Sequence, residues 1–156
     1  MEIMAAPFGD DYGPTHYLPV SVDFTSVTWN TVATHEVFTV TGLARVRLIP
    51  VCTENMAGAN NMKCGTASNI GAAPWIATTV KVDIDADEVW LTATPAATYP
   101  LPGAAGTGAI DAIVYGDDIG YEIETAAATD GTIVFHLWWT ALEPGATVVA
   151  GAGGVL

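Results

Sequence analysis

Hydrophobic and polar residues alternate along this chain in short runs, and no stretch longer than a few residues keeps the i, i+3, i+4 spacing of an amphipathic helix. The clearest alternation runs from residue 43 to residue 49. Its apolar side chains share one face of an extended strand, while Arg45 and Arg47 share the other. The pattern predicts a chain built from β-strands.

Short segments with this pattern are separated by turn residues such as Thr41-Gly42, Asp130-Gly131 and Pro144-Gly145, which supply the backbone angles that chain reversals need. The predicted strands are Val20 to Phe24, His35 to Thr41, Leu43 to Val51, Trp75 to Val82, Glu88 to Thr92, Ala109 to Tyr115, Gly120 to Thr125 and Thr132 to Ala141. About eight short strands at near-regular spacing predict an all-β, two-sheet sandwich with a jelly-roll-like topology, and a barrel is the alternative.

The chain divides into three parts by composition. Residues 1–19 lack a strand pattern and contain three prolines, so they are predicted to form an extended N-terminal arm. Residues 20–150 form the β-sandwich domain, within which residues 95–108 read as a long irregular loop. Residues 151–156 are rich in glycine and are predicted to be a flexible tail, whose last residues, Val155 and Leu156, dock on a neighbouring molecule.

Charge narrows the classes of partner. The 156 residues include 17 acidic residues and 4 basic ones, giving a net charge of −13, while hydrophobic residues make up 51% and charged residues 13%. Nucleic acid is excluded as a partner because phosphate binding needs clustered lysine and arginine. An anionic membrane is disfavoured by the same charge, and no apolar run is long enough for a spanning helix. Such a thinly charged exterior is typical of a surface covered by other protein.

The N-terminus and the cysteines indicate the cellular compartment in which the protein is expected. The first residues lack the basic and long apolar regions of a secretory signal peptide. Cys52 and Cys64 bracket a polar loop, so a hairpin-type disulfide between them is conceivable, while free thiols are expected in a cytosolic product. Two isolated cysteines without a nearby histidine do not predict a zinc site.

Neither the acidic run nor the histidines indicate a cofactor or a reaction. The run Asp83 to Glu88 opens like an EF-hand loop, but Glu88 replaces the required glycine and Thr94 stands at the twelfth position. A solvated turn between two strands is predicted there, with a looser calcium site as the alternative. His136 lies in an apolar strand and His35 at a strand start, without any catalytic spacing around them. We therefore predict a protein that is not an enzyme and has no cofactor or metal.

Arginine and tryptophan residues are the strongest candidates for an interface. Arg45 and Arg47 are predicted to pair across the sheet with Glu122 and Glu124, or else to contact an acidic patch on a neighbouring subunit. Five tryptophans are present: Trp29, Trp75, Trp90, Trp138 and Trp139. Because Trp138 and Trp139 are consecutive on one strand, they must point to opposite faces, one into the core and one outward. The outward tryptophan suits a protein interface, packing under a loop, or a sugar.

Two parts of the chain are similar to known sequences. Residues 27–42, continuing into residues 45–54, resemble small proteins encoded among the virion structural genes of tailed bacteriophages. Residues 129–139, with residues 148–154, resemble the C-terminal part of the same group. The resemblance implies a virion component made in the host cytoplasm.

The resemblance, taken with the surface composition, leads to a hypothesis about function. We expect a capsid decoration or cement protein that forms a homotrimer on the outer surface of a phage head and contacts the major capsid protein. Its candidate interface residues are Arg45, Arg47, Trp138, Trp139, Val155 and Leu156. A head-fibre or tail component, and a carbohydrate-binding β-sandwich module for host attachment, are the alternatives.

Overall fold

The computed structural model describes residues 15–98 and 110–156, and in these ranges it contains nine β-strands and one turn of 3-10 helix. The strands are β1 (His16–Asp23), β2 (Thr34–Thr41), β3 (Leu43–Ala57), β4 (Asn61–Thr66), β5 (Ile76–Val80), β6 (Ile110–Tyr115), β7 (Ile119–Glu124), β8 (Asp130–Ala141) and β9 (Thr147–Ala150). The 3-10 turn, Lys81–Asp83, follows β5.

The strands form two antiparallel sheets with jelly-roll topology. One sheet has the order β1-β8-β3-β6 and the other has the order β5-β4-β7-β2-β9. Strand β1 pairs with β8, β2 with β7, β3 with β6 and β4 with β5, which is the pairing of a long hairpin folded over on itself. Strand β9 extends the second sheet along β2. The predicted all-β, jelly-roll-like sandwich is confirmed.

The core lies between the two sheets, and the buried residues of the long strands occur at every second position. In β3, Val46 and Leu48 are buried; in β8, Ile133, Phe135 and Leu137 are fully buried. Each buried residue alternates with a more exposed neighbour on the same strand. The alternation therefore identifies the inner faces of the longest strands correctly.

One predicted strand does not form. Glu88 to Thr92 is not a strand, since Val89 makes only isolated bridges, to Val51 and Ala96. The segment instead packs over the end of the core, where Trp90 is fully buried and its backbone N–H donates to the carbonyl of Pro50. The hydrophobic residues of this segment are buried because the segment covers the end of the core. It does not join either sheet as a hydrogen-bonded strand.

The N-terminal boundary also differs from the prediction. Strand β1 begins at His16, four residues before the predicted start at Val20, so the end of the predicted arm 1–19 belongs to the sandwich. Pro19 is tolerated because β1 is an edge strand, where a missing N–H need not break the ladder. Residues 1–14 of the predicted arm, and most of the predicted loop 95–108, lie outside the described residues.

The C-terminal residues, predicted as a flexible tail, instead run along β2 of the same chain. The N–H groups of Gly151, Gly153 and Leu156 donate to the carbonyls of Val37, Glu36 and Thr34 respectively. Glycine permits this approach. A Cβ on Gly151 would lie 2.8 Å from the carbonyl oxygen of Glu36, and Gly153 adopts a positive φ of 75°.

The two cysteines are free and lie in opposite sheets. Cys52 is on β3 and Cys64 is on β4, and both are fully buried. The conceivable disulfide is not formed. Burial raises the pKa of the Cys52 thiol to about 11 and that of Cys64 to about 12, so both thiols remain protonated at neutral pH and are poor nucleophiles.

Candidate functional site

A row of four side chains crosses the outer face of the four-stranded sheet. Tyr17 on β1 is paired with Trp138 on β8, Trp138 with Arg47 on β3, and Arg47 with Asp111 on β6. Because residues in register across a sheet point to the same side, this row places two aromatic rings beside an ion pair.

The row borders an open groove of about 520 Å³. Strands β3 and β8 form its floor, Thr15 lies at one side and Asp111 at the other. The hydroxyl groups of Thr15 and Thr140 are 3.2 Å apart at the end of β8. The residues that line the groove are Thr15, Arg45, Val46, Arg47, Ile49, Asp111, Trp138, Trp139 and Thr140.

The ion pair in the groove has bidentate geometry. Arg47 donates from Nε to Oδ1 of Asp111 at 3.1 Å and from Nη2 to Oδ2 at 2.7 Å. The hydrogen bond with Asp111 raises the pKa of Arg47. Nη2 of Arg45 lies 4.0 Å from the same carboxylate. Both side chains of the bidentate pair remain more than one-third exposed, so the pair faces solvent.

The predicted pairing of the arginines with Glu122 and Glu124 is wrong. These two glutamates lie on β7, in the other sheet, where they bind Nζ of Lys63 at 3.2 Å and 2.9 Å. The hydrogen bond from Lys63 to Glu124 raises the pKa of this lysine. The sequence alternation identified the arginine face correctly, but the partner carboxylate depends on strand order.

The aromatic side of the groove is held by neighbouring rings. The ring centroids of Trp138 and Tyr17 are 5.0 Å apart with planes inclined by 33°. Burial lowers the pKa of His136, and the Tyr17 hydroxyl is hydrogen-bonded to its Nδ1 at 2.7 Å. The tyrosine thus cannot rotate away without losing a hydrogen bond, so the position of Trp138 is supported from one side.

The two consecutive tryptophans point to opposite faces, as predicted. Trp138 lies on the outer face, in contact with Tyr17. Trp139 packs against the core and stacks on His16 with ring centroids 4.4 Å apart. Arg45, Arg47 and Trp138 therefore lie on one surface. The ring of Trp139 is partly buried and packs against the core.

The remaining candidate residues, Val155 and Leu156, lie in the other sheet, where Val155 bridges His35 on β2. Gly153 brings the C-terminal residues against the loop that precedes β2, because a Cβ there would lie 2.7 Å from Cγ2 of Thr28. Exposed aliphatic side chains lie on this loop, on β9 and on the C-terminal residues. We call the following set the apolar edge: Val27, Val32, Val149, Val155 and Leu156, which are 41–79% exposed.

His35 links the loop before β2 to the C-terminal residues. Its imidazole is buried, with Nε2 2.8 Å from the carbonyl oxygen of Thr31 in the loop and Nδ1 3.3 Å from that of Gly153. The ring also stacks on Tyr121 at 5.3 Å. The sequence identified His35 only as a residue at a strand start, because no motif marks its contact with Thr31 and its other partner, Gly153, lies 118 residues away along the chain.

The acidic run Asp83 to Glu88 forms a turn. Asp87 has a positive φ of 67°, and the Glu88 carboxylate accepts the backbone N–H of Asp85 at 3.0 Å. Within residues 15–98 and 110–156, no group of three or more histidine, cysteine or acidic residues is arranged to hold a metal ion.

Lys81 is a buried cation at the start of the 3-10 turn that follows β5. Its side chain is fully buried, its Nζ donates to the carbonyl of Ala57, and it lies 5.5 Å from the centroid of the Phe24 ring. Burial lowers the pKa of Lys81 to about 8, against the opposing effect of the Asp130 charge. The ammonium form is therefore less stable here than in water.

This burial predicts a pH dependence of stability. Between pH 8 and 10.5 the unfolded chain keeps a proton on Lys81 that the folded chain releases, so the free energy of unfolding rises with pH in this window. Relative to Lys81→Met, the wild-type protein is expected to gain up to about 2 kcal/mol between pH 7 and 9.5. Urea unfolding of both proteins at the two pH values measures this difference. Parallel changes in the two proteins would contradict the assignment.

No protein-family model matches the chain, and no curated protein or solved structure is significantly similar to it. Across the described part of the chain, no helix is long and apolar enough to cross a membrane.

Proposed function

We propose that this chain is a structural virion protein that decorates the outer surface of a phage head. It attaches as a homotrimer to the major capsid protein and stabilises the shell through protein–protein contacts. The resemblance of residues 27–54 and 129–154 to virion structural proteins supports the virion assignment. The net charge of −13 suits the exterior of a capsid better than its DNA-lined interior.

The apolar edge is the observation that carries the protein-contact role. Val27 and Val155 are 79% and 70% exposed, and they belong to segments that Gly153 and His35 hold together. Exposed aliphatic side chains are costly in water and are commonly covered at interaction sites. Among the described residues β9 is the last strand of the second sheet, and an edge strand presents backbone groups that can pair with another chain. Hydrophobic contact and strand pairing are thus both available at this edge.

Oligomeric state and shell binding test the proposal. We expect the purified protein to be a trimer by light scattering and to sediment with heads that were assembled without it. Val149→Asp and Val155→Asp should weaken both properties at least about tenfold, because burying an uncompensated carboxylate costs more than 1.4 kcal/mol.

Val82→Asp is the matched control. Val82 and Val149 are equally exposed, at 53%, but Val82 follows the edge strand β5 at the opposite side of the same sheet. The control variant should bind like the wild-type protein. A monomer that ignores heads, binding to tails alone, or equal loss in all three variants would overturn the proposal.

A further inference from the structure

We propose that the groove on the outer face of the four-stranded sheet binds a neutral oligosaccharide. A pyranose ring lies against Trp138, and its vicinal hydroxyl groups bond to the pair formed by Arg47 and Asp111. This site lies on a different sheet from the apolar edge, so the protein would use one surface for the shell and another for a glycan.

The aromatic part of the groove suits the apolar side of a sugar. The face of an aromatic ring carries partial negative charge, which attracts the C–H groups that a pyranose presents on one side. Trp138 is supported by Tyr17, and Tyr17 is held by its hydrogen bond to His136. The ring is therefore in place before a ligand arrives, which lowers the entropy cost of binding.

The polar part of the groove suits a vicinal diol. A guanidinium has five N–H donors, of which Arg47 uses two on Asp111, and an ionised carboxylate accepts more than two hydrogen bonds. Donors and acceptors therefore lie side by side in a plane and face solvent. Adjacent sugar hydroxyls, each of which both donates and accepts, match this arrangement. The hydroxyl groups of Thr15 and Thr140 continue it at the end of the groove.

The shape of the groove favours a small ligand over a protein surface. Its volume of about 520 Å³ lies within the range of about 300–1,000 Å³ that small-molecule sites occupy. Its floor consists of paired strands, and its polar groups converge on one hollow. The apolar edge has the opposite character, with exposed valine side chains and no such cluster of donors and acceptors among those five residues.

Nitrogen-15 NMR of the full chain tests the site directly. The probes are methyl α-mannopyranoside, maltotriose, cellotriose and chitotriose, each titrated separately. We expect at least one of them to shift the Trp138 indole N–H and the Arg47 Nε–H signals in a saturable manner. Trp138→Ala and Asp111→Asn should each weaken binding at least about tenfold, equivalent to 1.4 kcal/mol.

Tyr115→Ala is the matched control, because Tyr115 is 69% exposed on β6 of the same sheet but does not line the groove. It should bind the sugar with wild-type affinity. Spectra of the free variants show whether each one is folded, and the wild-type titration stands if one of them is not. The proposal is overturned if none of the four probes shifts the groove signals. It is also overturned if the probes shift these signals only after residues 1–14 are deleted, because the intact chain would then fill its own groove.

Discussion

Replacing Gly120 with alanine is expected to prevent the domain from folding stably. Gly120 lies on β7, between Gly65 of β4 and Glu36 of β2. A Cβ at this position would overlap the backbone carbonyl oxygen of His35 and lie 3.0 Å from its carbonyl carbon. Backbone atoms in the middle of a sheet cannot move aside as a flexible side chain does, so the pairing of β2 with β7 must open.

The expected loss exceeds about 4 kcal/mol, a large part of the 5–15 kcal/mol that stabilises a typical domain. Urea unfolding followed by tryptophan fluorescence measures it. Gly71→Ala is the control, since in the described part of the chain no atom beyond its two sequence neighbours lies within 4 Å of a Cβ built there, and its φ is not in the left-handed region. Equal unfolding midpoints for the two variants would show that β2 and β7 approach less closely than described.

Replacing Trp90 with alanine is expected to cost about 3–5 kcal/mol. Trp90 is among the largest fully buried side chains, and its indole N–H donates to Oγ1 of Thr79 at 2.8 Å within the core. The truncation leaves a cavity at the end of the sandwich and removes one of the two hydrogen bonds of the buried Thr79 hydroxyl, which still donates to the carbonyl of Ala77. It also loosens residues 88–92, which are held over the core without a strand ladder.

Two further variants separate packing from hydrogen bonding at this position. Trp90→Phe keeps much of the volume and should cost about 1–3 kcal/mol. Thr79→Val keeps the indole but removes the hydroxyl that accepts from it and donates to the carbonyl of Ala77, and it should cost less than the alanine variant. Thermal and urea unfolding rank the three. If Trp90→Ala were no less stable than Thr79→Val, the burial of the indole would not be what secures this segment.

Several features of the fold were open to prediction because they depend on local spacing. The alternation in residues 43–49 placed Arg45 and Arg47 on one face of β3, as the structure has them. The period of two likewise placed Trp138 and Trp139 on opposite faces, and the structure shows that Trp138 is the outward one. These inferences need only the geometry of an extended chain, in which successive side chains point to opposite sides.

Other elements carried no usable local signal. Strand β4, with Lys63 and Gly65 among its six residues, and the four-residue strand β9 were not predicted. Each forms because a neighbouring strand, β7 or β2, offers a ladder of hydrogen bonds to it. Residues 88–92 show the opposite error, because a strand was predicted and none forms. Their hydrophobic pattern is that of a strand, but they are buried because they cover the core.

The sequence by itself determined the class of fold, the inward and outward faces of the main strands, and the acidic net charge from which we expect no nucleic-acid partner. Only the tertiary structure decided which groups meet: Asp111 reaches Arg47 across 64 residues of chain, and Gly153 reaches His35 across 118. The reason is physical. The face on which a side chain lies depends on its neighbours in sequence, whereas its partner depends on the order in which distant strands pair, and that order minimises the free energy of the whole sandwich.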